Sequence, residues 1–312
     1  MRRRALLAGS LAALARPALA RPPPLRLVVA AAAGGSQDAF ARLTAEGLGR
    51  RLGVRVLVEN LPGAGGLIGF DALSRRPPDG LHWGVGGDQQ ALLPAWTPPG
   101  MTPPALRAAA VGVETPLLLL VRPDGPADLA AFLALDRRRP LAVGTGGLAS
   151  LAHLAQDLLR AAVRGAWQAI AYRGGAPAAR DLLSGALDAA VVAGGVAAPL
   201  LGQGQVRGLL ALRRTPDPLF PGIPGLDAAG LPPALATAGW HGLVAPAGTP
   251  DARLETAAQA LSEAVWEVAV PLAEAGLRPA PAGPAAAAAR IAAEAARFGD
   301  GARALARRER AG

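Results

Sequence analysis

Three short loops carry the residues best suited to chemistry: Gly34-Gly35-Ser36-Gln37-Asp38, Gly144-Thr145-Gly146-Gly147-Leu148-Ala149-Ser150 and Arg173-Gly174-Gly175-Ala176-Pro177. Each falls where a strand-like run gives way to a helical pattern. A helix start presents unpaired backbone N–H groups and about half a positive charge, so it attracts an anion without any basic side chain. Glycine just before it lets a ligand approach the backbone, and Pro177 suits a first helical position. Taken singly, each loop is equally an ordinary tight turn before a capped helix. Three of them in strand-to-helix positions favour anion capture, because open α/β sheets bind ligands at the carboxyl ends of their strands.

Other chemistries find less support. The second loop also fits G-x-G-x-x-A, so a nicotinamide-dependent enzyme using Gly144–Ala149 is an alternative. The following strand, however, ends in Tyr172-Arg173 where an acid for the ribose is expected. Ser150 and His153 lie on one helix face with no elbow motif and no third catalytic member, and Ser36 reads first as a helix cap. Asp38 reads first as a first-turn acid and Asp181 as a solvated one. No catalytic residue and no cofactor is expected. Cysteine is absent and the three histidines, His82, His153 and His241, stand far apart, so no metal site is expected.

The elements that must position these loops alternate between strand and helix, which indicates an α/β fold with largely parallel sheets. Leu25 to Ala33 is an apolar run suited to a strand buried on both faces. A helical pattern with Phe40, Leu43, Leu48 and Leu52 ends at Gly53. A strand at 54–59, the Gly-rich turn 62–66, a helix ending near Arg76 and a strand at 81–85 complete a first lobe. The apolar run Leu117–Val121 stops at Arg122-Pro123-Asp124-Gly125, the expected crossing to a second lobe. That lobe repeats the alternation: helices at 128–135, 150–163 and 177–184, and strands at 141–143, 168–171 and 187–192. Residues 213–233, rich in Pro, Gly and Asp, read as an irregular connection, and 243–250 as the return. The expected division is 1–20 a leader, 21–122 with 239–312 one lobe, and 123–238 the other.

The leader reads as a secretory signal peptide. Arg2, Arg3 and Arg4 precede a short apolar run, and Ala18-Leu19-Ala20 fits the small-x-small cleavage pattern. Arg3-Arg4 also fits a twin-arginine signal, so the export route stays open between that and the general one. All 32 basic residues are Arg. Loss of the leader removes four of them and no acid, taking the net charge from +9 to +5. So modest and scattered an excess, with no interleaved aromatics, gives no nucleic-acid surface.

Several segments in fixed order resemble the Bug-type extracytoplasmic solute receptors of tripartite tricarboxylate transporters. They are Ala33-Gly34-Gly35-Ser36-Gln37-Asp38 with Ala41-Arg42, Val58 to Gly66, Pro78-Asp79-Gly80, Gly144-Thr145 with Gly147 and His153-Leu154, Tyr172 to Asp188, Gly242 to Pro250, and Glu274 to Leu277. The resemblance implies a periplasmic-binding-protein-like fold, two α/β lobes closing on a cleft that holds a small organic anion, a carboxylate. It implies a monomeric, non-enzymatic receptor in the periplasm that hands its ligand to membrane permease subunits. A ligand sensor for a membrane kinase would use the same cleft. Carried over by position, the ligand residues are Gly34, Gly35 and Ser36 from the first lobe and Thr145, Gly147 and Ser150 from the second. The loop Gly86-Gly87-Asp88-Gln89 occupies another cleft position, and Gly174 belongs to the third glycine loop. The chain departs from the family at Ala30-Ala31 (usually Pro-Phe), at Ala149 (usually Gly), at His241 (commonly Tyr) and at Asp88 (commonly a small hydroxyl residue). If Asp88 faces the cleft, it disfavours a second carboxylate and favours a ligand bearing an amine or amide; otherwise it points to solvent or caps the next segment.

Overall fold

The computed structural model describes residues 22–311, so the leader expected over 1–20 lies outside the described residues. The first sheet starts with β1 (Leu25–Val29), whose alternate residues are buried on opposite faces. β1 pairs in parallel with β2 (Val56–Asn60) and β3 (His82–Gly87). β3 pairs antiparallel with β9 (Ala238–Pro246), and β9 with β4 (Leu106–Val121). A short strand, β10 (Arg278–Ala282), adds to β4. The second sheet is built on the far end of β4. There Leu117–Leu120 pair with β7 (Ala189–Ala193), and Leu118–Val121 with β8 (Arg207–Ala211). β5 (Ala142–Thr145) lies parallel between β7 and β6 (Gln168–Ala171).

The chain therefore changes sheets inside β4. Pro116 still faces Ala238 of the first sheet, and Leu117 already faces Ala193 of the second. From sequence the crossing is expected at 122–125. Gly112, Glu114 and Pro116 break the apolar run that marks the strand's second half, so its first half is hidden.

Helices cover the sheets. α1 (Ser36–Leu52) ends on Gly53, whose left-handed φ of 68° lets its N–H reach Gly49 O. α2 is Leu67–Ser74, α3 Gln89–Trp96 and α4 Leu129–Asp136. α5 (Leu151–Ala162) and α6 (Gly175–Ser184) open at the second and third glycine loops. α7 is Gly194–Gly202, α8 Asp251–Glu267 and α9 Ala269–Glu274. Leu27, Phe40, Trp83 and Leu261 centre the first core, between β1, β3, α1 and α8. Phe132, Val143, Leu154 and Trp167 centre the second, which α10 (Pro284–Ala311) enters with Phe298, Ala302 and Leu305. The start of α10 lies on the first lobe, where Glu294 accepts from Trp240 Nε1 at 2.9 Å and the Arg290 guanidinium sits 5.3 Å over the indole. One helix thus straps both lobes. Among the described residues no helix is long and apolar enough to cross a membrane.

Candidate functional site

Three helix starts converge on one space of about 90 Å³ between the lobes. In α1, Ala39 N–H closes the first turn on Gly35 O at 2.9 Å, so the amides of Ser36, Gln37 and Asp38 precede the helical ladder. In α5, the Ser150 carbonyl takes His153 and Leu154, at 3.2 and 3.3 Å, leaving the Leu151 and Ala152 amides ahead of the ladder. α6 adds Gly175 behind Gly174. Gly35, Ser36, Gln37, Gly146, Ser150, Leu151, Ala152, Gly174 and Gly175 all line the cavity, and no Arg does. Leu117, Val192 and Val196 give it an apolar wall. Larger depressions elsewhere, such as one of about 870 Å³ beside Pro22–Pro24, gather no such set of helix starts.

The lobes meet at backbone distance around this space. Ala32 N–H donates to Arg173 O at 3.4 Å across the seam. A Cβ placed on Gly65 would lie 2.6 Å from Ala149 Cβ, and one on Gly195 would lie 2.6 Å from Ser36 Oγ. The arrangement is closed.

Asp38 organises the first loop. Its carboxylate accepts from Gly34 N–H at 2.9 Å, from Arg42 Nε at 3.0 Å and from Asn60 Nδ2 at 3.0 Å. Burial works to raise its pKa, but the Arg42, Gly34 and Asn60 hydrogen bonds outweigh burial and hold it below the ordinary value. A depressed folded-state pKa means stability that is present above the unfolded carboxyl's titration and lost as pH falls through the folded one. Asp38→Asn should therefore cost about 1–3 kcal/mol at pH 7. Urea unfolding should show that difference shrinking as the pH is taken below about 4.

A buried pair at the hinge side has no counterpart in the sequence reading. Ser36 Oγ lies 2.7 Å from His241 Nε2, although 205 positions separate them in the chain. Burial pushes the imidazole pKa down to about 4, partly opposed by a Trp240 backbone hydrogen bond, so His241 is neutral at physiological pH. Its Nδ1 meets no side-chain partner. The spacing is that of a nucleophile and base, but no carboxylate orients Nδ1 or stabilises the imidazolium that proton transfer would create. Gln37 and Gln89 complete this side, with Gln37 Nε2 donating to Gln89 Oε1 at 2.7 Å.

Of the residues singled out from sequence, Gly35, Ser36, Asp88, Gln89, Ser150 and Gly174 line the cavity. Gly34, Gly86, Gly87, Thr145 and Gly147 are not part of its lining. The Gly34 amide is engaged by Asp38. Gly86 and Gly87 belong to β3 and face Gly242 and His241 of β9. Thr145 is fully buried, its hydroxyl turned into α5 at 3.0 Å from His153 Nδ1. Gly147, at φ 125°, packs so tightly that a Cβ would fall 2.7 Å from Tyr172 O. Ser150 caps α5 and gives its proton to Gly147 O at 2.7 Å. Asp181, expected to be solvated, accepts from the Tyr172 hydroxyl at 2.6 Å. The Gly144–Ala149 loop thus faces a space far too small for a dinucleotide.

A family profile described as the tripartite tricarboxylate transporter family receptor matches residues 40–299. Protein BugT of Bordetella pertussis is 31% identical over 235 residues, covering 72% of this chain and 71% of that protein. MatC of Rhodopseudomonas palustris with bound malate superposes with a TM-score of 0.82 at 28% identity, covering 89% of this chain and 98% of that one. An R. palustris protein with adipate superposes with a TM-score of 0.84 at 27% identity, covering 90% and 97%. The fold is the two-lobed α/β fold of periplasmic binding proteins.

Proposed function

The chain belongs to the tripartite tricarboxylate transporter receptor family, and from that premise we propose that it captures a small organic carboxylate in the periplasm and delivers it to a membrane permease. The lobes that close are the one built on the first sheet and the one built on the second, the chain passing between them at Pro116–Leu117. One observation carries the reading: the starts of three helices line a single cavity between the lobes, with no Arg among its lining residues. Such a site recognises negative charge through fixed backbone dipoles, which need no reorganisation when the ligand arrives. Its small volume, against about 300–1,000 Å³ for pockets holding drug-sized ligands, favours a ligand of few heavy atoms. The malate and adipate seen in the two R. palustris relatives are of this chemical kind. The family and fold are those of solute-binding receptors, and capture by closure requires no reacting group. Closure is a population shift limited by the ligand's preference for the closed form.

The test is a thermal-shift screen against small mono- and dicarboxylates and amino acids. A ligand at a hundred times its dissociation constant should stabilise by about 2.7 kcal/mol, raising the midpoint by about 5–11 °C at about 2–4 °C per kcal/mol. A screen in which no carboxylate moves the midpoint would remove the reading.

A further inference from the structure

The hinge side of the cavity is rich in acceptors and poor in donors, the reverse of its amide-lined side. Asp88 sits at the start of α3, is 8% exposed and lines the cavity. Its Oδ2 lies 3.0 Å from the position a Cβ on Gly239 would take, so its carboxyl occupies the space left by the missing side chain on β9. Gly239 and His241 are two apart on that strand and share a face, which puts the Asp88 carboxyl on the same side of β9 as the cavity-lining imidazole. Beside it, Gln37 has spent Nε2 on Gln89, and its Oε1 is buried with no partner. Two buried side chains with acceptor oxygens thus line a cavity that has no Arg among its lining residues.

We propose that Asp88 and Gln37 form an acceptor subsite for an ammonium group, so that the preferred carboxylates are small amino acids rather than the plain acids of the same length. This rests on the receptor reading above and narrows its ligand class. The amides of α1, α5 and α6 take the carboxylate, and the hinge side takes the amine. A plain di-acid would instead find no cation there for its second carboxylate, and would face the unpartnered Gln37 Oε1.

The surroundings of Asp88 set its charge. Burial first, then repulsion from Glu294, raise its pKa to about 8, against the pull of Arg290 and the Gln89 amide. Glu294 and Arg290 come from α10, Thr115 and Gly239 from β4 and β9, and neutral His241 adds no charge. At pH 7 the Asp88 carboxyl is therefore mostly protonated in the empty site, and a ligand ammonium supplies a close counter-ion that ionises it.

Calorimetry at pH 7 on matched pairs decides the matter: propionate with alanine, succinate with aspartate, and glutarate with glutamate. The amino member should bind at least about tenfold tighter in one pair or more, as charge-assisted hydrogen bonds allow. Asp88→Asn should abolish that preference. Equal or tighter binding of the plain acid in every pair overturns the proposal, and this comparison needs no variant. So does a preference that survives in Asp88→Asn. In each of these cases the receptor reading stands. Binding by no member of any pair removes both.

Discussion

Gly35→Asp should fold normally and bind no carboxylate. Gly35 caps α1 in an extended conformation, φ −83° and ψ 172°, which any residue adopts, and a Cβ there meets nothing nearer than Ala32 O at 3.3 Å. Aspartate is among the best residues for a helix cap, so stability should be kept or gained. The same geometry ruins the site. The new carboxylate sits on the α1 amides the ligand needs, and its charge lies about 4 Å from where the ligand's belongs. At the effective dielectric near a protein surface, that repulsion is about 4 kcal/mol, roughly a thousandfold in affinity. Gly35→Ser, an uncharged cap of similar size, should stay within about tenfold of the parent. Calorimetry with any ligand found in the thermal screen, run beside thermal unfolding of both variants, checks this. Unaltered affinity in Gly35→Asp would mean the α1 start does not hold the anion.

Gly65→Ala acts on closure instead of recognition. Gly65 lies in the turn before α2 with φ 65°, and an added methyl group would be 2.6 Å from Ala149 Cβ and 2.9 Å from Ala149 N across the seam. The left-handed conformation costs an alanine about 1–2 kcal/mol wherever the lobes stand. The clash exists only when they meet. A forced methyl group typically costs about 1–3 kcal/mol, here borne by the closed form alone, so affinity should fall about ten- to a hundredfold. Small-angle scattering should show the variant remaining extended at ligand concentrations that compact the parent. Compaction at the parent's ligand concentration would refute the seam contact as a requirement for binding.

Local chemistry made much of the fold legible. Continuous apolar runs mark β1 and the second half of β4, and glycines mark the ends of α1 and α6. The three glycine loops stand at the helix starts where their composition puts them. What stayed hidden depends on distant partners or broken patterns. β10 contains Pro279 and Pro281, residues that argue against a strand unless it lies at an edge, as this one does. α3 carries Pro94 and is short enough to leave little periodicity. The Ser36–His241 pair joins two strangers in sequence, and only the family's usual aromatic at that place draws notice to His241. Thr145 and Ser150 were legible as loop hydroxyls but not in direction, because each hydroxyl is drawn to a local partner, His153 or Gly147 O. The burial of Asp88 depends on Gly239, whose lack of a side chain gives no periodic signal.

The unbroken run of β4 through both sheets bears on any attempt to take the molecule apart. A fragment holding only 123–238 would lack Leu117–Val121, and with them the strand that β7 and β8 pair with. Its β7 would present bare amides and carbonyls beside an apolar face, the kind of edge that recruits a neighbouring chain. Such a fragment should gather into aggregates instead of standing alone. The halves share one backbone ladder and one strap, α10, and so they depend on each other for solubility as well as for binding.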